Sequence, residues 1–179
     1  MNIWHDIDQS RITPGDFIAV IEIVKGSKKK YEMDKKTGLL ILDRVLYTST
    51  HYPANYGFIP RTYADDHDPL DVLVLCSEAL DPMVMVRCYP IGVITMIDSD
   101  EKDEKIIAIP FGDPVYNGYS TIGELPDHMF HEMQHFFRVY KQLEQKNTVV
   151  NPAEGRKAAI SAIRTSITRY NEFRYRDLS

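Results

Sequence analysis

The hydrophobic pattern of this chain changes character once. As far as Ile109 the apolar residues come in short runs broken by Gly, Pro and charged clusters, as strands do; from Asp127 onward they recur every three or four positions, as on one face of a helix. Phe17 to Ile23 reads as a strand that is apolar on both faces, except that Glu22 shares a face with Ile18 and Val20. A lone buried carboxylate is costly without a partner, so Glu22 either marks the end of the strand or points into a site.

Further along, Lys30-Tyr31-Glu32-Met33-Asp34 alternates, with Lys30, Glu32 and Asp34 on one face. Lys35-Lys36-Thr37-Gly38 then reads as a hairpin turn into a returning strand, Leu39 to Leu46, interrupted by Asp43-Arg44. Residues 51–60, rich in aromatics, Pro and Gly and without a period, predict a packed loop. Val72 to Leu75 predicts a buried strand, Glu78 to Met83 a loop, and Val84 to Ile97 one bent strand or two. Ser99 to Glu104 predicts a charged hairpin loop, Ile106 to Ile109 a strand, and Phe111 to Ser120 an irregular stretch.

Two helices are predicted last. Asp127 to Lys146 carries a stripe of Met129, Met133, Phe136, Tyr140 and Leu143; Ala153 to Tyr175 carries Ala159, Ile160, Ile163, Ile167 and Tyr170, with Arg164, Arg169 and Arg174 in solvent. Strands first and helices last define an α+β fold: a closed or nearly closed, small antiparallel barrel with two C-terminal helices packed on it.

Composition narrows the picture. A chain of 179 residues, 44% hydrophobic, suits one core, and a single domain over 1–179 is expected. A net charge of −5 leaves no basic excess to displace counterions from a phosphate backbone, which argues against nucleic acid as a partner. Cys76 and Cys88 lie in apolar surroundings without metal-ligand spacing, as free thiols do in a reducing compartment. No charged-then-apolar leader and no run near ~20 apolar residues is present, so a soluble, cytoplasmic protein with no membrane partner is expected.

The chemistry concentrates in Tyr63-Ala64-Asp65-Asp66-His67-Asp68-Pro69-Leu70-Asp71, where four carboxylates fall within seven residues at the mouth of a buried strand. Carboxylates crowded in this way raise one another's pKa values or take a cation between them. A calcium loop does not fit: Asp71 stands where the sharp-turn Gly belongs and Ser77 where the bidentate Glu belongs. His131-Glu132-Met133-Gln134-His135 matches the zinc-peptidase pattern, but both His lie nearly opposite the apolar stripe, on the solvent face. Collected along the chain, Glu22, Glu32, Asp66, Asp68, Asp71, Asp98 and Asp103 stand against Lys30, Arg44, Lys105 and Lys141. Oxygen-only ligands favour hard ions such as Mg²⁺ or Mn²⁺, and the cations beside them suit a metal-bridged polyphosphate.

Those residues carry a resemblance. Asp66-His67-Asp68-Pro69-Leu70-Asp71 is similar to the signature of the Mg²⁺-dependent soluble inorganic pyrophosphatases with an OB-like barrel, with His67 in place of a small or short polar residue. Ile21-Glu22-Ile23, Lys30-Tyr31-Glu32, Asp43-Arg44, the segment from Tyr52 to Gly57, Asp98 with Asp103 and Lys105, and His135-Phe136-Phe137 with Tyr140-Lys141 resemble family blocks in the same order. The resemblance implies hydrolysis of pyrophosphate to two phosphates with several Mg²⁺, or Mn²⁺ or another divalent ion, by a homo-oligomer, commonly a hexamer. It further implies that Asp66, Asp71 and Asp103 hold the tightest ion, with Asp71 serving a second. Asp98 and Asp103 would bind one that arrives with substrate, Glu32 would help hold another, and Glu22 would act through water. Asp68 is the implied base, and Lys30, Arg44, Tyr56, Lys105, Tyr140 and Lys141 the implied phosphoryl contacts. Two other readings stand beside it: an OB-like module stacking nucleic-acid bases on its eleven Tyr, and a zinc peptidase built on His131 and His135. His67 is expected to point to solvent and to tolerate a positive φ better than most residues.

Overall fold

The computed structural model describes residues 1–177. A 3-10 turn at Gln9–Arg11 leads into β1 (Ile12–Thr13) and β2 (Asp16–Ile23). A separate hairpin follows, β3 (Lys29–Met33) with β4 (Leu40–Val45), and then β5 (Asn55–Ile59), β6 (Leu70–Val74), β7 (Met85–Asp98) and β8 (Glu101–Pro110). The chain ends in α1 (Asp127–Val139), β9 (Thr148–Val150), β10 (Glu154–Gly155) and α2 (Arg156–Asp177). The architecture is α+β, with one mixed sheet and two helices. Hydrogen-bonded pairs run β2–β5, β5–β6, β6–β8 and β8–β7, and β7 pairs back onto β2.

The sheet is not purely antiparallel as expected, because β6 and β8 are parallel. Five strands in a circuit cannot alternate direction all the way round, so at least one neighbouring pair must run the same way. Alternate residues along the strands feed two cores. Val72, Val74, Ile106 and Ala108 pack with Ala159, Ile163 and Tyr170 of α2, while Leu73, Leu75, Ile107 and Ile109 pack with Phe130, Met133 and Phe136 of α1. β7 is one strand, bent where its pairing with β8 slips between Pro90 and Gly92.

Four expectations need correction. The loop predicted over 51–60 is largely strand β5, buried throughout. It lacks a period because both of its faces are covered, and Gly57 lets it approach β2 so closely that a Cβ there would lie 1.8 Å from the Val20 carbonyl oxygen. The charged loop expected over 99–104 is mostly strand: Ser99 and Asp100, at φ 52° and 65°, turn the chain in two residues, and Asp98 pairs directly with Glu101. Third, the first helix stops at Val139 rather than Lys146. The Thr148 hydroxyl donates to the Phe137 carbonyl at 2.5 Å, and Gln145 at φ 59° closes a 3-10 turn, so Leu143 of the expected stripe is exposed. Last, the second helix starts at Arg156 rather than Ala153, because Glu154–Gly155 form β10, which pairs with β7 as β9 does.

Candidate active site

The β3–β4 hairpin folds over the acidic loop, and between them lies a cavity of about 260 Å³. Glu22, Lys30, Glu32, Tyr56, Asp66, Asp68, Asp71, Asp103 and Lys105 line it, so the fold brings together nine residues that sequence had scattered over four strands, a hairpin and a loop. Arg44, Asp98, Tyr140 and Lys141 lie outside this lining. Arg44 is ion-paired to Asp43 and, at 2.9 Å through Nε, to Glu144; Lys141 pairs with Asp98; Tyr140 is buried.

Local structure explains each placement. The acidic loop is closed by its own backbone: Ala64 N–H donates to Asp68 O at 2.8 Å and His67 N–H to Ala64 O at 3.2 Å. This tight arc holds His67 at φ 66°, with its exposed ring against Tyr63 OH at 3.0 Å. Asp66 accepts from Asp68 N–H at 3.1 Å, and the Asp68 side chain, 48% exposed, meets the cavity beside Lys35. On β8, Asp103 and Lys105 share a face, and Lys105 pairs in register with Asp71 of β6.

Lys105 is only 2% exposed. Its Nζ donates to Asp71 at 2.7 Å, to both Asp103 oxygens at 3.1 Å and to Tyr56 OH at 2.9 Å, beneath the Tyr56 and Phe137 rings. Burial would lower its pKa, but the Asp103 and Asp71 charges win and hold it well above the ordinary value. Glu22 is buried as well, accepts from Met33 N–H at 2.8 Å and lines the cavity. Burial first, and the Asp71 charge second, raise its pKa to about 8. The same two causes raise Asp66 to about 6. At Asp98, burial works upward but Lys141 outweighs it, and the pKa is lowered.

Those raised values make a pH prediction for the protein in chelator. Glu22 and Asp66 bind protons more tightly folded than at their ordinary values of 4.5 and 3.8, so their contribution to stability is complete below those values and is lost as pH rises through about 6 and about 8. The metal-free protein is therefore expected to melt lower at about pH 9 than at about pH 5, and Glu22→Gln to flatten much of that slope. A thermal scan across pH in EDTA checks it, and an unaltered slope in the variant would place the cause elsewhere.

Sequence reasoning missed Lys35, Tyr31 and Met33, which line the cavity. Lys35 pairs with Asp68 and reaches His67 O at 3.4 Å, yet in sequence it is one of two lysines in a hairpin turn. Nothing local marks it. Tyr52, buried between Tyr56 at 5.2 Å and Phe136 at 4.7 Å, backs the wall behind Lys105. The zinc pattern is excluded by placement: His131 and His135 are exposed on the outer face of α1.

Six carboxylates against three lysines leave the cavity short of positive charge, and crowding of this kind is relieved by cations. The donors are all oxygens, which fits a hard divalent ion. Among the described residues no three carboxylates stand at ion-holding distance, because Lys105 occupies the space between Asp71 and Asp103 and supplies the cation there. Fold and site together define a pocket whose crowded carboxylates and lysines suit a small phosphate anion accompanied by divalent ions.

Comparison with known proteins narrows that class. The inorganic pyrophosphatase family matches residues 19–171. Soluble inorganic pyrophosphatase 1 of Arabidopsis thaliana is 48% identical over 170 residues, 95% of this chain and 80% of that one. Soluble inorganic pyrophosphatase 2 of Chlamydomonas reinhardtii is 46% identical over 169 residues, covering 94% and 88%. The crystal structure of the inorganic pyrophosphatase from Thermus thermophilus superposes with a TM-score of 0.88 at 38% identity, covering 96% of this chain and 99% of that one. The chain belongs to the inorganic pyrophosphatase family, hydrolases that depend on divalent metal.

Proposed function

We propose that residues 1–179 form one functional unit that hydrolyses inorganic pyrophosphate to two phosphates in the cavity beneath the hairpin. The observation that carries this reading is six carboxylates and three lysines around one cavity, a set that would hold a phosphate anion once divalent ions offset the negative excess. The same excess repels a nucleic-acid backbone, which disfavours the base-stacking alternative. The strand circuit is read as an OB-like barrel, and Mg²⁺ as the working ion with Mn²⁺ as a substitute. The setting is a cytoplasmic homo-oligomer, a hexamer by family resemblance.

Asp66, Asp71 and Asp103 would hold the tightest ion, with Asp71 shared by a second. Asp98 with Asp103 would take one arriving with substrate, and Glu32 another, with Glu22 reaching it through water. When bound, such ions acidify water and neutralise the charge that develops on the oxygens of an in-line displacement. The protein's share is positioning and proton transfer, since phosphoryl transfer leaves it little covalent work. Asp68 takes the proton of the attacking water as the new P–O bond forms and the bridging P–O bond breaks. Lys30 and Tyr56 hold the phosphoryl oxygens in the cavity, while Arg44, Tyr140 and Lys141, outside its lining, would join them only on leaving their present partners or packing. Lys105 can reach substrate only by giving up Asp71 and Asp103, whose oxygens it now satisfies.

Phosphate release from pyrophosphate is expected with Mg²⁺ and is expected to stop in EDTA. Absence of release in saturating Mg²⁺ would overturn the reading. Unchanged release in His131→Ala is the matching expectation against the zinc alternative.

A further inference from the structure

The acidic loop does not stand by itself. Its base is tied by Thr62, whose hydroxyl donates to Ile59 O at 2.5 Å and accepts from Leu70 N–H at 2.8 Å, so both ends of the loop meet on one buried side chain. Tyr63, the next residue, is held from α2: its N–H donates to Ser166 O at 3.0 Å, and its ring lies on Phe173 with centroids 4.7 Å apart and planes 9° apart. Trp4 stacks parallel to Tyr63 at 6.3 Å and on Phe173 at 6.0 Å, and donates through Nε1 to Thr62 O at 2.9 Å. Two residues on, Asp65 is paired with Arg169 of α2 at 2.5 Å. Asp65 had no part in the site and Arg169 was expected in solvent, yet they meet at the edge of the loop that carries Asp66, Asp68 and Asp71.

We propose that α2 is a positioning element for the cation-binding loop, acting through Arg169 on Asp65 and through Phe173 on Tyr63. This rests on the proposed site, because it assigns the loop a cation to hold. The physical basis is the conformation the loop must keep. His67 sits at positive φ, an arrangement that costs free energy and persists where the surroundings over-determine it. Tyr63 is the common point: it receives the His67 ring on its hydroxyl, Ser166 on its N–H and Phe173 on its face. Loosening α2 therefore frees the start of the loop and lets Asp66 move relative to Asp71, the two carboxylates the proposed ion would join. Partners that orient metal ligands from behind typically govern affinity by about 10–100-fold, and an exposed ion pair accounts for less.

The sign of the Arg169 effect separates positioning from plain electrostatics. Removing a positive charge beside a cluster of carboxylates, with nothing else changed, tightens the binding of a cation. If Arg169 positions the loop, its removal weakens binding instead. Arg169 is 41% exposed in its side chain, so truncating it opens no core.

The test is equilibrium binding of Mn²⁺ without substrate, measured by calorimetry on the full chain. Wild type, Arg169→Ala, Arg169→Lys and Phe173→Ala are compared, with urea unfolding run on each. The expected result is binding weakened about threefold in Arg169→Ala and about tenfold in Phe173→Ala, recovered in Arg169→Lys, with kcat at saturating ion within about twofold of wild type. If Arg169→Ala binds as tightly as wild type or more so, or Phe173→Ala keeps wild-type affinity while losing stability, α2 is a packing element only and the proposal fails. A wild-type chain that binds no ion defeats the functional reading itself, which the Arg169 comparison by contrast leaves standing.

Discussion

Asp68→Asn is expected to fold like the wild type and to lose about 10²–10⁴ in kcat, the usual span for removing a positioned general base. The loop supports this split between folding and chemistry. Its arc is closed through the backbone of residue 68, whose carbonyl accepts from Ala64 and whose N–H donates to Asp66, and an Asn retains both. The carboxylate itself is paired with the hairpin Lys35, at a half-exposed position where an ion pair contributes little to stability. Steady-state phosphate release in saturating Mg²⁺, with urea unfolding alongside, gives the comparison. A variant with near wild-type kcat would take the base role from Asp68, and the search would pass to the other carboxylates of the cavity.

Lys105→Met is expected to destabilise the protein in EDTA by about 3–5 kcal/mol, the cost of leaving buried carboxylates without their partner. Met keeps the packing under the Tyr56 and Phe137 rings, so the loss reports charge rather than a hole. Burial pushes the Asp103 pKa up, with Asp71 adding to it, and Lys105 is the main restraint on that rise. Saturating Mg²⁺ is expected to return most of the lost stability, because ions that bind only the folded chain stabilise it by mass action. Urea melts of both proteins with and without Mg²⁺ settle the point, and an equal deficit in both conditions would show that Lys105 is not standing in for a cation.

Much of this was readable from residue order because the chemistry sits where the apolar pattern breaks. Glu22 inside an otherwise apolar strand, Asp43-Arg44 inside the returning strand, and the carboxylates ahead of Val72 each mark a residue that burial alone would not choose. The positive φ of His67 was not readable, because it is imposed by the hydrogen bonds that close the loop between Ala64 and Asp68. What escaped reading depends on contacts far apart in sequence. The strand at Asn55–Ile59 is covered on both faces and pressed against Val20 through Gly57, so it shows no alternation. The turn at Ser99 and Asp100 hides in a run of charges because its signal is a pair of φ values rather than a Gly. Arg169 and Lys35 look like ordinary surface charges, and only the packing of α2 and the hairpin against one loop gives each a carboxylate.

An odd number of strands in the circuit has a consequence for the chemistry. Two neighbours forced to run the same way begin at the same rim, and here those neighbours are β6 and β8. The acidic loop feeds β6, and Asp103 and Lys105 lie in the first half of β8. Had that seam been antiparallel, the two sets of side chains would have opened at opposite rims. Parity of the strand count thus gathers charges from distant parts of the chain at one mouth, with Asp71 and Lys105 side by side in register.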